Sequence, residues 1–230
     1  MRHNPQSVML FAAGFGTRMG HLTAHQPKPL IPVAGRALID HALDLVQDAG
    51  VPRKVVNLHY KAEMLSNHLA QTDAVLSVEL PDILETGGGL RHALPLLGTG
   101  PVFTMNTDAI WKGPNPLILA QNTWDPDRMD ALLVCIRLAN AVGHTGQGDF
   151  VIEGNGQLRR GTDYIYGGVQ IIKTAGLADI TEPAFSLNLL WDRMLQNGRI
   201  FGLPYPGLWC DVGHPEGVTL AERMIGTSDV

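Results

Sequence analysis

Apolar and polar positions alternate along the first 140 residues in two different periods. Short apolar runs are typical of buried strands, whereas apolar residues that recur every three or four positions are typical of amphipathic helices. Strands are predicted at residues 8–11, 55–58, 75–80, 101–105 and 131–138. Helices are predicted at residues 37–49, 62–70, 89–97 (broken by Pro95) and 116–122. This alternation predicts a mostly parallel sheet with helices on both faces.

The pattern becomes richer in strands after Asn140. Gly154-Asn155-Gly156 separates two short strand-like runs, at residues 150–153 and 157–160, and predicts a hairpin. The remaining strands are predicted at residues 164–172 and 200–203, and the remaining helices at residues 187–195 and 216–225. No repeat or linker interrupts the chain, so residues 1–230 are predicted to form one α/β domain with a Rossmann-like, mixed sheet. Residues 1–139 form its first part, and residues 140–230 add a β-rich insertion and closing elements.

The charge and composition of the chain exclude some classes of binding partner and indicate a cellular compartment. The chain has 230 residues and a formal net charge of -5, which argues against nucleic acid or an anionic membrane as a partner. No apolar run approaches the roughly 18 residues of a membrane span, and the polar residues 1–6 do not begin a signal peptide. Cys135 and Cys210 lie far apart and outside any C-x-x-C pair. A reducing, cytoplasmic location is therefore expected.

The stretch after the first predicted strand carries the clearest chemistry. The small residues Ala12, Ala13, Gly14 and Gly16 allow a polyanion to approach the backbone, and successive N–H groups in such a turn form an anion-binding concavity. Arg18 and a proline-framed Lys28 add two cations, so this loop suits the triphosphate of a nucleotide. The loop is not a Walker A motif, and it departs from the dinucleotide fingerprint because Met19 stands where the third glycine belongs.

These motifs resemble those of the sugar-1-phosphate nucleotidyltransferases, the enzymes that make nucleotide sugars. The family signature L-A-A-G-x-G-T-R-M, P-L-T, P-K-P-L-x-P-V-x-G-x-P-L-I is matched from Phe11 to Ile39, with Phe11 in place of leucine and His21 in place of proline. A second match, to W-x-D-V-G-x-P-E, runs from Trp209 to Glu216. The resemblance covers nearly the whole chain and implies the nucleotide-diphospho-sugar transferase fold.

The resemblance also implies the reacting groups. Asp108 follows a predicted strand and Asp211 lies in the second match, and together they are expected to hold Mg²⁺. Arg18 is expected to hold the leaving pyrophosphate and Lys28 the reacting phosphates. The expected nucleotide-binding residues are Ala12, Ala13, Gly14, Gly16, Thr17, Glu85, Thr86, Gly87 and Gly88, of which the last four belong to an L-E-T-G-G-G string predicted to precede a helix.

The sugar is expected over the second half of the chain. Asn106, Asn140 and Asp149 carry amide and carboxylate groups that suit sugar hydroxyls and an N-acetyl group. Many hexose-1-phosphate members of the family carry an E-K-P string whose lysine meets the sugar phosphate, and this chain lacks it. Arg159 or Arg160 is a candidate substitute.

The resemblance implies a Mg²⁺-dependent transfer from UTP to a sugar 1-phosphate, with N-acetylmuramate 1-phosphate as the expected sugar, by a monomer or simple homodimer. Two alternatives remain open at this point. One is a sibling transferase, such as a guanylyltransferase for mannose 1-phosphate or a cytidylyltransferase for phosphocholine. The other is a non-catalytic sensor of nucleotide sugars that regulates a partner enzyme.

Overall fold

A computed structural model describes residues 4–226, which form a mixed α/β structure. The strands are β1 Ser7–Phe11, β2 Pro32–Val33, β3 Arg36–Ala37, β4 Arg53–Leu58, β5 Val75–Val78, β6 Val102–Asn106, β7 Ala109–Lys112, β8 Ala131–Arg137, β9 Ala141–Val142, β10 Phe150–Ile152, β11 Leu158–Arg160, β12 Tyr164–Ile172, β13 Ile200–Pro204 and β14 Leu208–Asp211. The helices are α1 Leu38–Asp48, α2 Ala62–Leu69, α3 Glu85–Leu97, α4 Pro116–Thr123, α5 Asn188–Gln196 and α6 Pro215–Gly226. Short 3-10 turns cover Thr17–Thr23, Lys28–Leu30, Leu138–Asn140 and Ala175–Asp179.

The central sheet confirms the predicted mixed, mostly parallel arrangement. Strands β5, β4, β1 and β6 are neighbours in that order and run parallel. The long strand β12 then pairs antiparallel with both β6 and β8, and β13 pairs parallel with β8. The predicted hairpin is also confirmed, since β10 and β11 pair antiparallel and β10 joins β12.

Helices cover both faces of this sheet, as the alternation of elements predicts. Successive side chains of a strand point to opposite faces. Val8 and Leu10 of β1 therefore pack with α1, α2 and α4, whereas Met9 packs with α3 and α5 on the other face. A third apolar cluster joins α6 to the segment around Ile31 and Val33. Within residues 4–226, no helix is long and apolar enough to cross a membrane.

A small second sheet determines the position of the site. Strand β14 pairs antiparallel with β7 and parallel with β9, outside the central sheet. The sequence pattern did not predict β7 or β14, because each has only four residues and its apolar run is just three residues long. Their pairing brings the segment after β6 next to the segment before α6.

The prediction for helix α3 was right at its end, Leu97, but wrong at its start and at the expected break at Pro95. The helix begins at Glu85, not at Gly89, so Gly87 and Gly88 lie inside its first turns. It also continues through Pro95. A proline inside a helix costs about 3 kcal/mol, but Pro95 is exposed, and burial of Ala93 and Leu97 against the sheet holds the last turn in place.

Candidate active site

A cleft of about 310 Å³ opens at the carboxyl ends of β1, β4 and β6, where ligands bind in open α/β sheets. We call it the first cleft. Its walls bring together most of the residues predicted to contact the nucleotide and the phosphates. The lining residues are Phe11, Ala12, Ala13, Gly14, Gly16, Thr17, Arg18, Lys28, Pro29, Asn57, Glu79, Ile83, Glu85, Thr86, Asn106, Thr107, Asp108 and Gly213.

The loop after β1 is shaped by its glycines. Gly16 has a φ of 65°, which side-chain-bearing residues rarely adopt. A Cβ atom at Gly16 would also lie 2.9 Å from both Lys28 Cβ and Thr23 Cγ2. By contrast, a Cβ at Gly14 would meet no atom within 4 Å. Gly16 therefore allows Lys28 to lie against the loop, and Gly14 leaves the backbone open to the cleft.

Lys28 is held in place before any ligand binds. It lies between Pro27 and Pro29, and only 8% of its surface is exposed. Its Nζ donates to Oδ2 of Asp108 at 2.7 Å. Because the stem is packed and the backbone is stiffened by proline, the ammonium group loses little freedom when it meets a phosphate.

Asp211 is the last residue of β14, and Asp108 directly precedes β7, the antiparallel partner of β14. Asp211 is paired in register with Ala109, and the N–H of Val212 donates to the carbonyl of Asp108 at 2.8 Å. Burial raises the pKa of Asp211, and the charge of Asp108 raises it further, while Lys28, Arg18 and His214 oppose both effects. Two carboxylates thus share one region beside a cationic loop.

Gly213 keeps this region open on the side of the loop. A Cβ atom at Gly213 would lie 2.7 Å from Oδ2 of Asp211 and 3.3 Å from Nη1 of Arg18. The Arg18 guanidinium and the Asp211 carboxylate therefore both approach the bare backbone of Gly213, which places Arg18 at the same end of the cleft as the two aspartates.

Sequence reasoning missed Asn57 as a residue of the cleft. Its Oδ1 accepts from the N–H of Ala12 at 2.7 Å, and its Nδ2 donates to Oε1 of Glu79 at 2.7 Å. Glu79 is fully buried, and its Oε2 accepts from the N–H of Leu84 at 2.8 Å. This chain of hydrogen bonds fixes the backbone at Ala12. The available signal was a polar residue near the carboxyl end of an otherwise apolar strand.

The glycine run of α3 serves packing. A Cβ at Gly87 would overlap the ring of Phe185 and lie 2.9 Å from its carbonyl oxygen, and one at Gly88 would lie 2.6 Å from the carbonyl of Pro183. The N–H groups of both glycines donate to the Phe185 carbonyl, at 2.8 and 3.1 Å. Gly87 and Gly88 are thus covered by residues 183–185, and of the L-E-T-G-G-G string only Glu85 and Thr86 line the first cleft.

A second cavity of about 270 Å³ adjoins the first cleft and shares three residues with it, Phe11, Thr86 and Asn106. The rest of its lining comes from the second half of the chain: Asp149, Arg160, Tyr166, Ser186, Leu187, Asn188 and Trp191.

Two of the three residues predicted to bind the sugar, Asn106 and Asp149, line the second cavity. The Asp149 carboxylate accepts from the N–H of Tyr166 at 2.8 Å through Oδ2. Asn140 lines neither the first cleft nor the second cavity, because it ends a 3-10 turn between β8 and β9. Of the two arginine candidates, Arg160 lines the cavity and Arg159 does not.

The chain is similar to known nucleotidyltransferases over nearly its whole length. A family model described as "MobA-like NTP transferase domain" matches residues 8–135. An N-acetylmuramate alpha-1-phosphate uridylyltransferase of Caulobacter vibrioides is 40% identical over 98% of this chain and 99% of its own length. A protein of the same name from Neisseria meningitidis serogroup B is 31% identical, over 95% and 98%.

A solved structure shows the same fold. HddC from Yersinia pseudotuberculosis, complexed with GMP-PN, superimposes with a TM-score of 0.77 over 96% of this chain and 99% of its own, at 20% identity. The fold and the site together define a nucleotidyltransferase. The chain belongs to the MobA-like NTP transferase family and, with the relatives above, to its sugar-1-phosphate nucleotidyltransferases.

Proposed function

We propose that the protein joins UTP and N-acetylmuramate 1-phosphate to give a UDP-sugar and pyrophosphate. The proposal is supported by the full-length similarity to two uridylyltransferases that bear this name. We place the reaction in the cytoplasm of a cell, since Cys135 and Cys210 are both buried free thiols, which suits a reducing compartment. We propose a monomer or simple homodimer as the active form.

The single observation that carries the chemistry is that Arg18, Lys28 and the Asp108 carboxylate line one end of the first cleft, where Gly213 brings Asp211 next to them. Asp108 directly precedes β7 and Asp211 ends its partner strand β14, Lys28 is paired with Asp108, and Arg18 lies beside Gly213 next to Asp211. Nucleotidyl transfer depends mainly on positioning and on charge neutralisation around the reacting phosphate.

The residues present fit a Mg²⁺ ion. Burial and the neighbouring Asp108 raise the pKa of Asp211, so an added cation would stabilise the ionised pair. Within residues 4–226 no group of three or more His, Cys, Asp or Glu side chains could hold a metal. Mg²⁺ commonly uses one or two carboxylates together with substrate phosphates and water. Bound between Asp108 and Asp211, it would neutralise charge on the reacting phosphates.

In the proposed reaction, an oxygen of the sugar 1-phosphate forms a bond to the α-phosphorus of UTP. The bond from that phosphorus to the oxygen bridging the β-phosphorus breaks, and pyrophosphate leaves with the electron pair. The attacking phosphate is already an anion, so no side chain must act as a base or a nucleophile. Lys28 holds the reacting phosphates, Arg18 holds the departing pyrophosphate, and the N–H groups of the loop around Gly14 bind phosphate oxygens.

The test is pyrophosphate release by the purified protein with each of the four nucleoside triphosphates and a set of sugar 1-phosphates, in Mg²⁺. We expect the highest kcat/KM with UTP and N-acetylmuramate 1-phosphate. Faster turnover of GTP with mannose 1-phosphate, or of CTP with phosphocholine, would replace this proposal by the sibling activity.

A further inference from the structure

Arg160 stands out among the residues that the proposed reaction leaves without a role. Of the residues that line the second cavity in the described part of the chain, Arg160 alone is cationic. Its neighbour Arg159 points to the other face of the hairpin, as adjacent residues of a strand must, and pairs there with Glu153 at the surface. Arg160, and not Arg159, therefore faces the second cavity.

The guanidinium of Arg160 is held on two sides. It lies over the ring of Phe150, its partner in the strand register, at 4.9 Å from the ring centre. Nη2 donates to Oδ1 of Asn188 at 2.8 Å and to Oδ1 of Asp192 at 2.7 Å, both on helix α5. An arginine carries five N–H donors, so within residues 4–226 these contacts leave Nε and Nη1 for a ligand.

The linings of the two cavities set Arg160 apart from the reacting phosphates. The phosphate of the sugar must reach the α-phosphorus of the nucleotide, which the proposed function places beside Lys28 and Asp108. Those two residues line the first cleft and not the second cavity, whereas Arg160 lines only the second cavity. An anion at Arg160 is therefore expected on a part of the sugar other than its 1-phosphate.

We propose that Arg160 determines specificity for an acidic sugar by binding its carboxylate in the second cavity. The inference rests on the proposed function and deepens it. N-acetylmuramate carries a lactyl ether at O3 that ends in a carboxylate, and N-acetylglucosamine has a hydroxyl at the same position. The N–H groups left on Nε and Nη1 lie on different edges of the guanidinium, so each can donate one charge-assisted hydrogen bond to a carboxylate oxygen. Asp192 orients the guanidinium and does not itself line the cavity.

The experiment compares two substrates that differ only in the lactyl group. kcat/KM is measured at saturating UTP for N-acetylmuramate 1-phosphate and for N-acetylglucosamine 1-phosphate. N-acetylglucosamine 1-phosphate is also tested as a competitive inhibitor of the reaction with N-acetylmuramate 1-phosphate. In Arg160→Gln we expect the preference for N-acetylmuramate 1-phosphate to fall about 10- to 100-fold, through KM. Arg160→Lys should recover part of the preference, because it restores a cation without the planar guanidinium that Asn188 and Asp192 hold in place.

Arg159→Gln is the matched control, with the wild-type preference expected. An equal loss on both substrates in Arg160→Gln would show either a structural role for Arg160 or a contact with the 1-phosphate that both substrates carry. Either result would overturn the proposal, as would an unchanged preference. Failure of the proposed function has a different signature, since the wild-type protein itself would then not use N-acetylmuramate 1-phosphate.

Discussion

The first cleft and the second cavity are neighbours, but the chain builds them in different ways. The first cleft takes its charged groups from the segments that come after β1, β5 and β6, and two of these groups, Lys28 and Asp108, form an ion pair with each other. The second cavity takes Asp149, Arg160 and the residues near Asn188 from separate elements of the second half. The difference suggests that the first cleft performs the chemistry and the second selects the acceptor.

The largest effect should come from Asp108→Asn. We expect kcat to fall by roughly 10²- to 10³-fold or more, because the substitution removes one of the two carboxylates and the partner of Lys28. The thermal midpoint should fall by only a few degrees, because the buried Lys28 loses its partner while Asp211 loses a like-charged neighbour. Pyrophosphate release and a melting curve measure both quantities. The control is the exposed Asp127→Asn, and near-normal turnover by Asp108→Asn would remove the first cleft from the chemistry.

Lys28→Gln should lower kcat by about 10²-fold, since a positioned cation is lost from the reacting phosphates. Lys54→Gln provides a matched control. Lys54 is equally buried, and it pairs with Asp73 at 2.7 Å outside the first cleft. The Lys54 variant should lose stability and keep kcat within about twofold. If both variants lost activity equally, the effect of Lys28 would be one of folding.

Gly87→Ala should act on stability, through the contact between the two halves of the site. The added methyl would overlap Phe185, and overpacking of this kind costs about 1–3 kcal/mol. Chemical denaturation measures the change, and Gly154→Ala, where no atom lies within 4 Å, should be neutral. A weaker affinity for UTP with unchanged stability would instead support the base contact that the glycine run suggested.

The smallest effect concerns Asp211 and pH. Burial raises the pKa of this carboxyl, so the folded state binds its proton more tightly than the unfolded state does. Stability is therefore lost as the pH rises from the pKa of Asp211 in the unfolded state through its higher pKa in the folded state. Asp211→Asn should therefore stabilise the protein at pH 7 without metal, by roughly 0.5–2 kcal/mol.

The gain from Asp211→Asn should disappear below the ordinary pKa of an aspartate, where both forms are neutral. Melting curves in EDTA from pH 3 to pH 8 give the measurement, with Asp127→Asn as the control. A variant less stable than the wild type at pH 7 would contradict the assigned cause of the shift.

Much of the fold was predictable from the sequence, because its main strands are continuous apolar runs. The first strand was predicted within one residue, and β12 at its observed bounds. The start of α3 was not predictable in the same way. Gly87 and Gly88 have low helix propensity, and their helical conformation depends on the Phe185 carbonyl, which lies almost a hundred residues away.

The residues of the site also differ in how far they could be predicted from the sequence. The side chains of the first cleft follow strand ends and stand in short motifs, so their meeting could be predicted. Asn57 was not predicted, because a single polar residue in a strand belongs to no motif with a recognisable spacing. Asn140 was predicted to bind the sugar but lines neither cavity, because its position in a loop does not determine where its side chain points. Arg160 and Arg159 could not be separated until the pairing of β10 with β11 was known.

The central claim is that Asp108 and Asp211 together hold a divalent ion against the bound nucleotide. Its most direct test is the calorimetric affinity for UTP, without the sugar phosphate, in Mg²⁺ and in EDTA, for the wild type and Asp211→Asn. We predict that Mg²⁺ tightens UTP binding to the wild type and that this tightening is lost in the variant. The same Mg²⁺ enhancement in both proteins would contradict the claim, since the ion would then be held by the nucleotide alone.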